Sequence, residues 1–404
     1  VDPKLRAAFN REFTPDKYAG LVRCVNESEK WPADFRISET PVFLTHEFRD
    51  EVSHAANKII AATRTSEFVR HSAAAVPKDL EVPNESGHPN FHVVDFAICA
   101  EGDRLVPRLI ELQAFPSLFG FQLVLLDCFR KAYPVIPRSW TSAFGGIKDD
   151  AYLGFLRRTI IADSPLEGVI LLEIQPEKQK TRVDFAATET FLGIRPVCVT
   201  KIKKRGRHLF YDRDGRDVRI ERIYNRVIFD ELSQRRDLNL QFRFQDDLDV
   251  TWVGHPNWYF RISKHSLPFL KTEYTSATFF ADEFPSDEKM KDYVLKPLYS
   301  FAGHGVDMEP TREKIAGLQN PREWILQKKV EYAAFVPTID NHKSKAEIRM
   351  MFVWPDQDRD PTLVNNLVRM SQGKMMGVDF NIDKTWVGAS IALHEAAEPS
   401  RVTN

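Results

Sequence analysis

The spacing of apolar positions divides the chain before any other property is considered. Over residues 1 to about 75 they recur three and four apart, most clearly across 43–52 and 55–62, which predicts helices. Pro77, Pro83, Gly87 and Pro89 then break any helix and mark a connection. From Phe91 the period becomes two: strands are predicted over 91–98 and 107–116 around a turn at Glu101, Gly102 and Asp103. A helix is expected over 120–132. An apolar strand at 168–174, a helix over 183–192 ending at Gly193, and a strand from Arg195 form a βαβ unit, so part of the sheet should be parallel.

Farther along, Lys201, Lys203, Lys204, Arg205 and Arg207 precede Asp214-Gly215 and a second alternating run. This reads as a solvated hairpin. Alternation returns at 292–298, 324–330, 347–353 and 367–371. The expected fold class is α/β (α+β). The divisions are 1–90, helical; 91–160; 161–257, the βαβ region; and 258–404.

Hydrophobic residues make up 43% of the 404 residues and charged residues 28%, as in an ordinary globular protein. Lys plus Arg (56) nearly balance Asp plus Glu (57), so no overall field points to nucleic acid or an anionic membrane as partner. Cys24, Cys99, Cys128 and Cys198 are scattered, without a C-x-x-C pair, and are expected to be reduced, buried thiols. With no secretory leader pattern and no long apolar run, a cytoplasmic protein is expected.

The chemistry concentrates in 292–306. Val294, Lys296 and Leu298 share one face of a strand that runs into a loop with Ser300, Gly303, His304 and Gly305. A lysine at the mouth of a glycine-bearing turn suits phosphate oxygens, although a strand and a Gly turn also make a plain hairpin. On the 107–116 strand, Glu111 and Gln113 project from one face, and Asp95 stands on the neighbouring strand. Together they offer hard oxygens to Mg²⁺, but alternating polar residues also form solvated sheet faces. There is no H-E-x-x-H, G-x-S-x-G or H-R-D motif, which leaves metalloprotease, α/β-hydrolase and protein-kinase readings without anchors.

These stretches resemble the ATP-grasp ligases, and more closely the circularly permuted group that includes glutathionylspermidine synthase. The likeness runs in separate motifs over roughly 90–390. In that group a lysine precedes a glycine-containing phosphate loop, as Lys296 precedes Gly303 to Gly305. A second ATP-binding lysine is matched by Lys264 within 263–270. The adenine-hinge strand resembles 325–330, with Gln327, Lys328 and Val330; the arginine-bearing strands resemble those of Arg349 and Arg369. A late signature is similar to 383–387.

The resemblance implies that Asp95, Glu111 and Gln113 hold Mg²⁺ and that Arg349 and Arg369 serve catalysis. Gln113 stands where the pattern has Asn, and Val93 where the polyamine ligases carry an arginine. The implied fold clamps ATP between two subdomains. The implied activity is ATP-dependent joining of a carboxylate to an amine through an acyl phosphate, on an amino acid, peptide or polyamine. The alternative is an ATP-binding protein with impaired catalysis.

Overall fold

The computed structural model describes residues 1–299, 305–373, 376 and 381–396. Four helices lead the chain: α1 (Pro3–Glu12), α2 (Pro15–Glu27), α3 (His46–Thr63) and α4 (Ser66–Ala73), with a short strand β1 (Val42–Phe43) before α3. Each helix begins at a side chain that accepts a backbone N–H, namely Asp2, Thr14, Thr45 and Thr65. The helical pattern expected from residue 43 starts at His46, because Phe43 is drawn into pairing with a strand near the C-terminus.

Next come β2 (Phe91–Glu101), β3 (Arg104–Gln113), α5 (Phe121–Ala132), β4 (Trp140–Thr141) and α6 (Asp149–Ile160). The βαβ unit follows as β5 (Val169–Glu173), α7 (Arg182–Leu192) and β6 (Arg195–Cys198), with Gly193 closing α7 at φ 78°. The basic stretch forms a three-stranded meander, β7 (Lys203–Arg205), β8 (His208–Arg213) and β9 (Arg216–Ile220), one strand more than a hairpin. Asp214 and Gly215, both at positive φ, make the two-residue turn between β8 and β9. Then β10 (Arg222–Asn225), α8 (Phe229–Gln234), β11 (Thr251–Val253) and α9 (Pro256–Arg261) lead to the C-terminal elements. These are β12 (Thr278–Phe280), β13 (Tyr293–Pro297), α10 (Arg312–Ala316), β14 (Trp324–Lys328), β15 (Ala334–Pro337), β16 (Lys343–Val353), β17 (Thr362–Ser371), β18 (Gly388–Ser390) and β19 (Ala392–Glu395).

Three sheets position the site. The largest, of six strands, has the order β18-β17-β16-β2-β3 with β15 beside β16, and its pairs are antiparallel. One face buries Phe96, Ile98, Ile348, Met350 and Val368 against Val52, Ala55 and Ile59 of α3. The second sheet, β11-β10-β5-β6, is parallel throughout. Ile170 and Leu172 belong to one core and Val169 and Leu171 to another, so β5 is apolar on both faces, as a covered parallel sheet requires. The third is a small antiparallel sheet, β12-β14-β13, that carries Lys296.

One expectation is overturned. Cys24 of α2 and Cys128 of α5 form a disulfide across a sequence separation of 104; Cys99 and Cys198 are free. The two helices pack side by side, which brings together cysteines whose spacing in the chain carries no signal. Disulfides are rare in the reducing cytosol, so this bond bears against the cytoplasmic expectation. Among the described residues no helix is long and apolar enough to cross a membrane.

Candidate functional site

The second face of the six-stranded sheet carries charge where its neighbours carry core. Register places Arg349 of β16 opposite Asp95 of β2, and Asp95 opposite Glu111 of β3. One row along, Arg369 of β17 faces Glu347 of β16. Side chains two apart on a strand share a face, so sequence alternation sets all five groups on one side.

Asp95 is almost fully buried and is held by two guanidiniums. Arg349 Nε and Nη2 donate to its two oxygens at 2.6 Å each, and Arg369 Nη2 donates at 3.0 Å. Arg369 also pairs with Glu347, which accepts from the Tyr332 hydroxyl at 3.1 Å. Asp95 therefore sits inside an arginine network, with both oxygens engaged. Such bidentate, charge-assisted contacts fix geometry as well as energy.

Glu111 and Gln113 stand at the end of β3 and line a cleft with Ser263 and Lys264. Lys264 Nζ lies 3.1 Å from Glu111. Its short 3₁₀ helix (Lys264–Phe269) begins at a capping box in which the Ser263 and Ser266 side chains each meet the other's end of the turn. Among the described residues the Gln113 side chain has no hydrogen-bond partner, so its amide is open to the cleft.

Lys296 reaches the same place from the small sheet. Its ammonium donates to Gln327 Oε1 at 2.6 Å and to the Ile110 carbonyl at 3.5 Å, while Gln327 Nε2 donates to the Leu109 carbonyl at 3.2 Å. The Ile110 carbonyl is available because β3 bulges there: Asp95 pairs with Glu111 but Phe96 pairs with Leu109, leaving Ile110 extra. A bulge on an edge strand thus ties the two sheets together beside Glu111.

The charges act on one another. Burial alone would raise the Glu111 carboxyl, but Lys264, Lys296, Arg349 and Arg369 outweigh it and hold it down at about 2. Burial lowers the Lys296 ammonium to about 8, with Glu111 opposing the shift. Burial raises the Glu347 carboxyl against the pull of Arg369. Four cations and three carboxylates therefore act on one another around Glu111, which lines the cleft with Lys264, and Asp230 stands behind Tyr259 as a further carboxylate near Lys264.

The remaining expected residues divide. Ser300, Gly303 and His304 lie outside the described residues. Gly305 has φ 75°, and a Cβ there would stand 3.1 Å from Pro297 Cγ, so the position calls for glycine. Beyond it the chain returns to β13 through paired hydrogen bonds of 2.9 Å between Leu295 and Asp307. The Lys328 side chain is exposed and its amide donates to the Ala277 carbonyl, so Lys328 is not brought into the cleft. Val330 packs with Tyr332 beside Ala97, Cys99 and Val106, an apolar patch next to the charged row. Sequence reasoning gave no role to Glu347 or Tyr332; the Glu347-Ile-Arg349 alternation was the available signal.

No family model and no curated protein matches the chain. Among solved structures, it is similar to the apo form of a glutathione synthetase-like effector (GSS30) from Globodera pallida. The match covers 98% of each chain with a TM-score of 0.57 and 11% sequence identity. The fold is glutathione synthetase-like. At that identity the likeness speaks to architecture, and the chemistry has to be argued from this chain's own residues.

Proposed function

We propose that the cleft binds ATP with Mg²⁺ and that the chain is a carboxylate-amine ligase of the circularly permuted ATP-grasp type, akin to glutathionylspermidine synthase. The observation that carries this reading is the convergence of Lys264, Lys296, Arg349 and Arg369 around Glu111 in a glutathione synthetase-like fold. Asp95, Glu111 and Gln113 precede both lysines in the chain, an order that favours the permuted group.

In this reading the purine lies beside the end of β14, against the apolar patch of Val330 and Tyr332, because β13 and β14 pair directly and leave no space between them. Lys264 and Lys296 neutralise the phosphates, and Ser300, Gly303, His304 and Gly305, which follow Lys296 in the sequence, are assigned to the same group by the family likeness. Of the oxygens expected to hold Mg²⁺, those of Glu111 and Gln113 face the cleft. Two suffice, because Mg²⁺ keeps several waters and phosphate oxygens in its shell. Asp95 joins such a shell only by releasing a guanidinium, so its part is to hold Arg349 and Arg369 in place. When bound, the metal supplies further charge neutralisation for phosphoryl transfer.

The reaction moves the γ-phosphoryl group to a carboxylate oxygen, and ADP departs. An amine nitrogen then attacks the acyl carbon, inorganic phosphate leaves with the electrons of the broken C–O bond, and the nitrogen gives up a proton. Arg349 and Arg369 face the charge that develops in the first step. The test is ADP release from ATP and Mg²⁺ with a screen of carboxylates and amines. Activity should fall by orders of magnitude in Glu111→Gln while ATP still binds. A protein that binds ATP and releases no ADP under any combination is a nucleotide-binding protein without ligase activity.

A further inference from the structure

The two lysines of the cleft are held by different chemistry. Lys264 lies 3.1 Å from the Glu111 carboxylate. Lys296 donates only to uncharged oxygens, at Gln327 Oε1 and the Ile110 carbonyl, and among the described residues it forms no ion pair. A neutral acceptor occupies one of the three ammonium donors and leaves the charge unneutralised.

Gln327 offers that acceptor in one orientation only. Its side chain is buried, with 5% exposed, and Nε2 donates to the Leu109 carbonyl, so Oε1 is the end that faces Lys296. A flipped amide would set acceptor against acceptor at Leu109 and donor against donor at Lys296. The main chain is committed as well. Gln327 stands on β14, the middle strand of its sheet, opposite Thr278 on one side and Val294 on the other.

We propose that Gln327 is a positioning residue for Lys296, holding the ammonium ready for nucleotide phosphates, and that it does not read the purine. The proposal rests on the nucleotide reading of the cleft given above and assigns, within it, what orders the phosphate-binding lysine. A lysine side chain loses much rotamer freedom when it is fixed, and ordering it before the phosphates arrive removes that cost from binding. The carbonyl of Leu109 on β3 sets the amide, the amide sets the ammonium, and the two sheets are tied at the point where the phosphates are to lie.

The experiment titrates the full chain with Mg²⁺ and either ATP or inosine triphosphate, which carries the same phosphates on a different base edge. Gln327→Met keeps the size of the side chain and removes the acceptor. In a variant shown to be folded by circular dichroism, affinity for both nucleotides should fall about three- to tenfold, the loss expected for one hydrogen bond, and the preference between them should hold within about twofold. In a Lys296→Met background the same substitution should change affinity by less than about twofold, because the lysine it orders is gone. Unchanged affinity in Gln327→Met, a shifted preference between the nucleotides, or an equal loss in the Lys296→Met background overturns the proposal. A wild-type complex with a non-hydrolysable ATP analogue tests it without substitution: Gln327 Oε1 should stay within about 3.2 Å of the Lys296 ammonium, and an amide turned onto the purine overturns it. Wild type that binds neither nucleotide removes the nucleotide reading and this inference with it, whereas binding accompanied by any of the overturning results removes the assignment of Gln327 alone.

Discussion

Asp95 and Arg349 face each other across β2 and β16 and share two hydrogen bonds of 2.6 Å, although they lie 254 residues apart in the chain. Arg369 adds a third contact to the same carboxylate. Breaking a buried ion pair by removing one partner typically costs about 3–5 kcal/mol, because the surviving charge stays desolvated. Asp95→Asn should therefore lower urea-unfolding stability markedly in the absence of any metal. Unchanged metal-free stability would deny Asp95 this positioning part.

The Cys24–Cys128 bond closes a loop of 104 residues, and removal of such a bond typically costs about 2–5 kcal/mol. Reductant should lower the melting temperature, as should Cys24→Ser. In denaturant without reductant, thiol titration should count only Cys99 and Cys198.

Acid stability should carry the mark of Glu111, whose carboxyl is depressed from 4.5 to about 2 in the folded chain. A depressed carboxylate stabilises fully above its unfolded pKa, and that contribution is lost as pH falls through the folded value. Between pH 4.5 and 2 the unfolding free energy of the wild type should fall more steeply than that of Glu111→Gln. Parallel slopes would mean that the surrounding cations do not act on Glu111 as described.

What the sequence made legible was local. Period-two alternation told which residues of β3 share a face, and it marked the strand that carries Lys296. Gly193 after α7 announced both the helix end and the parallel unit. The relations that define the site are not local. Nothing in the chain pairs Asp95 with Arg349 rather than with a metal ion, since that follows from strand order and register among β2, β16 and β17. The bulge at Ile110, which frees a carbonyl for Lys296, replaces no residue type and leaves no compositional trace. The disulfide was missed for a related reason: two helices that pack after folding bring together cysteines that look unrelated in the chain. Phe43 shows tertiary pairing overriding a helical period.

The central claim is that the charged cleft is a nucleotide site, and titration of ATP with Mg²⁺ into wild type and Lys296→Ala tests it most directly. Losing a charge-assisted contact to phosphate costs about 1.5–3 kcal/mol, or roughly ten- to a hundredfold in affinity. The account predicts saturable binding of one ATP per chain, weakened by that factor in a Lys296→Ala protein that retains its fold. No binding to the wild type, or equal affinity in the two proteins, would contradict it.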